Sequence, residues 1–356
     1  MAGNEYRITG IQQVGVGVAD LKQAWAWYAT NFGFDVPAFN DAAEAPHMAR
    51  YTGGAVQSRH AALAINMHGG GGFEVWQYTS RTPGGPERPP VLGDHGILAP
   101  RLKSGRIEEA HERLTAAGAT ILGGPNADPA GVPHFFARDP WGNIFQVVEA
   151  ADWFAGGPAR VGGVAGAMIG TPDIERSLGL YRDVLGYDRA VYDETGSFTD
   201  LTGLPEGARR VRRVLLTHSQ PRRGGFAPLL GATSIELVQA LDTPGSAIFA
   251  DRYWGDLGFI HLCFDVQGMD ALLDACRAAG IEVTVDSGET FDMGDAGGRF
   301  AYVEDAAGTL IEFVETHRLP VVPALGINVS LSKGGVGKSV PRWILRLLAL
   351  KRTKTL

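Results

Sequence analysis

Three side chains able to bind a metal ion lie on apolar, strand-like segments of the sequence. His261 stands in GFIHLCFDV (258–266), where apolar and polar residues alternate, and Glu236 in TSIELVQA and Glu312 in GTLIEFVE have similar settings. Because successive residues of a strand point to opposite faces, we expect the imidazole opposite the face that packs in the core. One imidazole and two carboxylates suit a divalent ion such as Fe, Mn, Ni or Zn.

We predict that Glu236, His261 and Glu312 converge in one cup. Two carboxylates that are buried together repel each other unless a cation or a proton lies between them. A divalent ion held with His261 relieves that repulsion and leaves open positions at which substrate oxygens can be polarised. If the three side chains instead point apart, or an apolar side chain fills the space between them, the alternative is a protein that binds its ligand without a metal.

The composition is that of a globular protein of about two domains. The chain has 356 residues, of which 45% are hydrophobic and 20% are charged, and domains of about 150 residues are typical. Its two cysteines provide no disulfide framework, which favours a reducing compartment and predicts a cytoplasmic protein. The sequence has no secretory start and no run of about 18 apolar residues that would predict a membrane span. A net charge of −7 gives no general footprint for nucleic acid.

Residues 318–356 differ from the rest of the chain in charge, since they contain eight Lys and Arg residues and no Asp or Glu. VPRWILRLLALKR (340–352) predicts a short basic amphipathic helix. Such a helix would dock on the protein itself, contact a partner subunit in an oligomer, or attach to an anionic membrane surface. KGGVGKS (333–339) resembles a phosphate-binding loop, but the 17 residues after it are too few for the rest of a nucleotide-binding sheet.

The sequence repeats itself with an offset of 153 residues. ITGIQQVGVGVADLKQAWAWYATNFGFD from residue 8 aligns without a gap with VGGVAGAMIGTPDIERSLGLYRDVLGYD from residue 161. Each copy predicts a strand, an aspartate N-cap (Asp20 or Asp173), a helix and a glycine stop. We therefore predict two domains, at 5–152 and 160–317, followed by the basic tail at 318–356.

Each predicted domain also divides into two halves of the α+β class. A strand and a helix are followed by about three more strands, so the chain would hold four βαβββ units, two per domain, whose sheets curve around a cup. The repeat matches three pairs of positions that bear on the metal site: Glu74 with Glu236, Ala99 with His261, and Gln146 with Glu312.

These features resemble the vicinal oxygen chelate superfamily, which includes glyoxalase I, extradiol ring-cleaving dioxygenases, methylmalonyl-CoA epimerase and bleomycin-resistance proteins. The resemblance rests on the openings VADLKQAWAWYATNFGF and TPDIERSLGLYRDVLGY, the strand GFIH, and the closing motifs DPWGNIFQ and DAAGTLIE, and it covers residues 8–316. It implies two tandem glyoxalase-like domains, with metal ligands on the first and last strands of each unit.

The implied ligand positions favour the second domain as the working site. They fall there on Gly166, Glu236, His261 and Glu312, and in the first domain on Gln13, Glu74, Ala99 and Gln146. Glycine and alanine offer no side-chain ligand to a metal. The first domain, in which Gln13 and Glu74 resemble half of a glyoxalase I site, would then serve as a scaffold or as a lid.

Three functions follow from the resemblance. A glyoxalase-like or epimerase-like lyase or isomerase would act on a small carbonyl, hydroxy or aromatic substrate, with Glu312 moving a proton next to a metal-bound carbonyl. An extradiol dioxygenase uses two histidines and one glutamate, and its first histidine would fall on Gly166, unless another residue such as His218 replaces it. The third function is that of a metal-free protein that binds or sequesters a small molecule.

Overall fold

The computed structural model of the protein describes residues 5–155, 161–288, 291–293, 296–322, 327–331 and 336–356. Across these residues strands are numerous, helices are few, and the strands form two mixed sheets. The predicted α+β class is therefore confirmed. The elements follow one another in four successive units, and a helical segment ends the chain.

The first two units occupy residues 7–149. The first contains β1 (Arg7–Gly17), α1 (Leu21–Phe32), β2 (Phe34–Glu44), a 3-10 turn (Pro46–Tyr51), β3 (Ser58–Asn66) and β4 (Gly72–Tyr78). The second contains β5 (Gly96–Ser104), α2 (Ile107–Ala116), β6 (Thr120–Ile121), β7 (Asn126–Ala127), β8 (Pro133–Arg138) and β9 (Ile144–Glu149).

The last two units and the tail occupy the second half of the chain. The third unit contains β10 (Val164–Gly170), α3 (Ile174–Leu178) with a π-helical turn (Gly179–Val184), β11 (Arg189–Gly196), a 3-10 turn (Thr199–Leu201), β12 (Val211–Thr217), α4 (Ala227–Leu230) and β13 (Ser234–Ala240). The fourth contains β14 (Gly258–Gln267), α5 (Met269–Ala278), β15 (Val283–Asp286), β16 (Phe291–Met293), β17 (Ala296–Glu304), β18 (Leu310–Val322) and β19 (Ile327–Ser330). The tail contains α6 (Arg342–Leu347) and a 3-10 turn (Leu348–Lys351).

The helices that open the two halves of the repeat begin at the predicted aspartates. The carboxylates of Asp20 and Asp173 each accept a hydrogen bond from the backbone amide three residues later, at 3.0 and 3.1 Å. α1 ends at Gly33, whose φ of 65° is a left-handed conformation that glycine adopts without strain. The apolar stripe of α1 packs into the core, where Trp25 and Tyr28 are fully buried.

The units pair across the repeat rather than within it. One sheet has the strand order β15-β17-β18-β14-β1-β4-β3-β2, so it joins the first unit to the fourth, and we call its concave side cup I. The other sheet has the order β11-β12-β13-β10-β5-β9-β8-β6, joins the second unit to the third, and encloses cup II. This pairing corrects the prediction that the two units of each domain curve around a cup of their own. β14 and β5 occupy equivalent positions in the repeat. The alternation of side chains along β1 therefore fits pairing with either strand and does not predict which of them it joins.

The C-terminal segment contains the predicted helix and docks it on the body of the protein. Leu345 and Leu348 are buried in an apolar cluster that the body of the protein provides. Trp343 and Leu350, on the other side of the segment, are 65% and 75% exposed. One face of the helix is therefore used for docking, and two large apolar side chains remain in solvent.

Two segments of the chain that bear on the predictions lie wholly or partly outside the described residues. They are the joint between the predicted domains, at 156–160, and positions 333–335 of KGGVGKS. None of the described helices is long and apolar enough to cross a membrane.

Candidate metal centre

One histidine and two glutamates converge at the middle of cup I. The Nε2 atom of His261 lies 3.2 Å from Oε2 of Glu74 and 3.1 Å from Oε2 of Glu312. One ligand atom from each of the three residues lies within 4.8 Å of the others, and all three side chains are buried. The group is thus a compact, water-poor set of nitrogen and oxygen ligands.

The register of four neighbouring strands brings these side chains together. Gly15 of β1 pairs with Glu74 of β4 on one side and with His261 of β14 on the other. Beyond β14, Glu312 of β18 pairs with Cys263, which shares the face of His261. The ligands therefore come from the first and fourth units, so the pairing of these units in one sheet is what assembles them.

Gly15 leaves the room that the imidazole needs. A Cβ atom at this position would lie 2.4 Å from Cε1 and 2.7 Å from Nε2 of His261, far inside the usual separation of non-bonded atoms. Any other residue would displace the ring. This glycine was not predicted from the sequence, and its one signal is its place between Val14 and Val16, because a glycine inside a strand often marks the close approach of another group.

A fourth side chain, Gln13 of β1, joins the group. Its Nε2 atom donates hydrogen bonds to Oε2 of Glu74 at 3.1 Å and to Oε2 of Glu312 at 3.4 Å. Its Oε1 atom is buried and has no hydrogen-bond partner among the described residues. Since the two ends of an amide have nearly the same shape, a half-turn of the side chain would place Oε1 among the carboxylate oxygens. A cation makes that orientation favourable, so Gln13 can supply a fourth ligand atom.

The spacing of the group fits a divalent transition-metal ion. Two ligand atoms at right angles around an ion, each bonded at about 2.1 Å, are about 3.0 Å apart, close to the 3.1 and 3.2 Å separations at Nε2 of His261. That nitrogen has no hydrogen bond of acceptable alignment among the described residues. This misalignment is expected when the lone pair of Nε2 points between the two oxygens, toward a shared ion. Nitrogen and oxygen ligands of this kind suit Mn, Fe, Ni or Zn.

The two carboxylates dominate the electrostatics of the centre. Burial disfavours the protonated imidazole, but the attraction of Glu312 and Glu74 outweighs burial and raises the pKa of His261 to about 10. Burial, together with the negative charge of Glu312, also raises the pKa of the Tyr302 hydroxyl well above its usual range, so that it stays protonated. Without a metal, a proton on His261 supplies the positive charge between the two carboxylates.

A cleft leads from solvent to this group. It has a volume of about 460 Å³ with its open mouth included, and both Glu74 and Glu312 line it. The aromatic rings of Trp76, Trp254 and Tyr302 form much of its wall. Two carboxylates thus face one space in which a small molecule can reach the ion site.

Glu236 lies in cup II, in the other sheet from His261. Its Oε1 atom accepts hydrogen bonds from Nε of Arg213 at 2.8 Å and from the Tyr192 hydroxyl at 2.9 Å. Burial disfavours the charged carboxylate, but the guanidinium groups of Arg213 and Arg101 outweigh burial and lower the pKa of Glu236. This carboxylate is therefore paired with an arginine and does not face the histidine.

This placement corrects the predicted ligand set. The structure brings His261 and Glu312 together, but Glu74 stands where Glu236 was expected, because the fourth unit shares its sheet with the first unit and not with the third. The sequence did contain a signal for the grouping that the structure shows. Gln13 and Glu74 resemble half of a glyoxalase I site, and His261 and Glu312 are the residues that the structure brings beside them.

Cup II is closed by ion pairs and hydrogen bonds among its own side chains. Nη1 of Arg213 donates to Oδ2 of Asp200 at 2.9 Å. The same Oδ2 atom lies 3.1 Å from Nε2 of His134, and Nδ1 of His134 lies 3.2 Å from Nε2 of Gln146. All four side chains are buried. The arginine thus occupies the centre of cup II as a permanent cation.

Comparisons with known proteins agree with this architecture. Glyoxalase I from Zea mays is similar at 15% identity, with a TM-score of 0.51 over 87% of this chain and 92% of that chain. A proposed dioxygenase from Bacillus subtilis subsp. subtilis str. 168 is similar at 13% identity, with a TM-score of 0.55 over 87% of this chain and 86% of that chain. No curated protein gives a significant sequence match. The family model described as the Glyoxalase/Bleomycin resistance protein/Dioxygenase superfamily matches residues 10–147 and 163–313, so the chain belongs to that superfamily.

Proposed function

We propose that this protein is a metal-dependent lyase or isomerase that moves a proton at a carbon atom next to a carbonyl group of a small substrate. The observation that carries the proposal is the buried group of Gln13, Glu74, His261 and Glu312, whose ligand atoms have the spacing of an ion's neighbours. Two of its carboxylates reach the same cleft. In the resemblance to glyoxalase I, Gln13 and Glu74 are half of the metal site, and cup I adds a histidine and a second glutamate.

Each side chain of the centre has a defined task in this proposal. Gln13, Glu74, His261 and Glu312 would hold a divalent ion, which when bound polarises a substrate oxygen and so acidifies the neighbouring C–H bond. Glu312 lines the cleft and accepts the proton from that carbon. Glu74 reaches the same cleft, so a proton can be returned to the substrate at a neighbouring atom by either carboxylate.

The walls of the cleft support proton transfer by limiting the access of water. Trp76 and Tyr302 are almost completely buried, and Trp254 is nearly so. Because the raised pKa of Tyr302 keeps its hydroxyl protonated, this residue can offer a hydrogen-bond donor to the substrate but takes no proton from it. Removal of water strengthens the electrostatic interactions of the carboxylates with the substrate.

The ligand set favours proton transfer over ring cleavage. An extradiol dioxygenase site has two histidines and one glutamate, whereas His261 is the one histidine in the group that the described residues form in cup I. His218, which could have replaced the missing histidine, lies after β12 of the other sheet, where its Nδ1 contacts the Gln220 carbonyl at 2.8 Å. We therefore rank the dioxygenase below the lyase or isomerase. Glu236 does point away from His261, which was the condition set for a metal-free binding protein. We rank that alternative second because Glu74 takes the place of Glu236 beside His261 and Glu312.

The test is metal binding followed by proton exchange. Protein purified without an affinity tag should bind about one Mn²⁺ per chain, and His261→Ala should lose it because both the imidazole and its charge balance disappear. With methylglyoxal and 2-mercaptoethanol in D2O as a probe, NMR should detect deuterium at the carbon next to the carbonyl. Glu312→Gln should abolish this incorporation. A His261→Ala variant that binds Mn²⁺ as tightly as the native protein would overturn the proposal.

A further inference from the structure

We propose that cup I holds an uncharged, apolar part of its ligand, an alkyl or aryl group, in a second chamber that the C-terminal segment closes. The assignment of that ligand as the substrate rests on the proposed function, but the chamber and its chemistry do not. The chamber lies beside Gln13 and has a volume of about 870 Å³ with its open mouth included.

The walls of the chamber are apolar and come from distant parts of the chain. Leu63 and Ile65 of β3, Leu229 and Leu230 of α4, Val314 of β18 and Leu348 of the tail line it. α4 belongs to the third unit, so this chamber is built by the sheet of cup I, a helix of the third unit and the tail together. Such a surface gains free energy by covering apolar groups and offers few partners to polar ones.

The chamber lies next to the metal centre, and Gln13 borders both. Gln13 lines it, and the Nε2 atom of the same side chain donates to Glu312. Val314 and Thr316 also line it, and they follow Glu312 on the same face of β18. The chamber and the metal centre therefore share the Gln13 side chain, and a ligand bound at the centre would reach the chamber past this residue.

The chamber provides no unpaired charge for an ionic ligand. Arg299 is the one charged side chain among the described residues that line it. Its Nη1 lies 2.6 Å from Asp270 and its Nη2 lies 2.7 Å from Asp286. A carboxylate or ammonium group in the chamber would be buried without a partner, which is costly. An uncharged apolar group meets no such cost.

The tail takes part in the chamber as a wall. Leu348 is only 7% exposed and lines the chamber, whereas Leu350, two residues later on the same helical segment, is 75% exposed. These two leucines form a matched pair, because a substitution at Leu348 changes the chamber and the same substitution at Leu350 does not.

The test uses the full-length protein and the neutral fluorescent probe N-phenyl-1-naphthylamine. The native protein should bind about one probe per chain, in competition with 1-decanol. Leu348→Trp should weaken probe binding by at least about tenfold because the indole fills the chamber, and Leu350→Trp should leave it within about twofold. Ile65→Trp fills the chamber from the opposite wall and should give the same loss, so the result does not depend on the folding of one variant. Decanoate should displace the probe at least about tenfold less well than 1-decanol from metal-free protein.

The outcomes separate this proposal from the proposed function. Probe binding that is insensitive to both filling variants, or equal displacement by decanoate and 1-decanol, would overturn the apolar chamber. His261→Ala should bind the probe as the native protein does, because that residue does not line the chamber. If the native protein binds no metal yet binds the probe as described, the proposed function fails and the chamber stands. If it binds metal but not the probe, the chamber fails and the metal centre stands.

Discussion

The two cups have the same strand pairing, but the large and the small residue of the central pair are exchanged between the two strands. In cup I, Gly15 on β1 pairs with His261 on β14, and in cup II Met168 on β10 pairs with Ala99 on β5. One strand of each pair carries a small residue where the other carries a large one. The small residue of cup I makes room for an imidazole, whereas the methionine of cup II fills the equivalent space. A metal-binding cup thus needs a small residue opposite its histidine, as well as the histidine itself.

The cups also differ in how their buried carboxylates are neutralised. Glu236 and Asp200 of cup II are paired with Arg213, a cation that does not titrate in proteins. Glu74 and Glu312 of cup I are paired with His261, which can lose its proton. Cup II is therefore satisfied by its own side chains, while the positive charge of cup I is a proton on His261 that another cation can replace. This difference is the physical reason for assigning the metal to cup I.

The largest expected effect comes from removing the internal cation of cup II. Arg213→Met should lower the free energy of unfolding by about 3–5 kcal/mol, because it removes the arginine that forms ion pairs with two buried carboxylates. Arg212→Met, at the preceding position of β12, is the control. Its ion pairs with Asp193 and Glu175 are partly exposed, so the expected cost is about 0–1 kcal/mol. Urea unfolding measures both, and equal costs would contradict the account of cup II.

The next effect comes from filling the space beside the imidazole of cup I. Gly15→Ala should displace His261 and lower the free energy of unfolding by about 1–3 kcal/mol, as overpacking of a core does. Its Mn²⁺ affinity should fall by about 10–100-fold, as when a supporting group of a metal site is lost. Gly196→Ala is the control, because the nearest atom to its added Cβ is 3.9 Å away. Unchanged Mn²⁺ affinity in Gly15→Ala would show that the imidazole position is not critical.

A smaller effect is the pH dependence of Mn²⁺ binding in cup I. The Mn²⁺ affinity of cup I should rise about tenfold per pH unit between about pH 7 and 9, because the ion displaces the proton that His261 holds below its pKa of about 10. That proton stabilises the metal-free fold fully below the unfolded pKa of 6.5, and the stabilisation is lost as the pH rises through about 10. Electron paramagnetic resonance of Mn²⁺ at several pH values measures the affinity. A Mn²⁺ affinity that stays constant above pH 7 would mean that the pKa of His261 is not raised, which would contradict the prediction.

Much of the fold could be predicted from the sequence because it depends on local signals. Asp20 and Asp173 are N-caps that act within one turn of helix, and the spacing of apolar residues identifies strands and helices without reference to distant elements. The repeat then predicts the number of units. The position of the C-terminal helix follows from the same kind of signal.

The pairing of the units could not be predicted in this way. β5 and β14 occupy equivalent positions in the repeat, so β1 could pair with either strand and keep its own alternation. The choice depends on contacts between residues far apart in the sequence, such as the fit of His261 against Gly15. For the same reason Glu236 and Glu74, which match in the repeat, were equally suitable ligands by position alone. The complementarity of Gln13 and Glu74 with His261 and Glu312 was the signal that the repeat alignment obscured.

The most direct test of the account is the metal content of Glu74→Gln and Glu236→Gln, measured after equilibration with Mn²⁺ and gel filtration. Both substitutions preserve shape and remove one buried negative charge, and the residues hold matching positions in the two cups. We predict that the native protein and Glu236→Gln retain about one ion per chain, whereas Glu74→Gln retains less than about a tenth of one. Retention of the ion by Glu74→Gln together with its loss from Glu236→Gln would contradict the assignment of the metal centre to cup I.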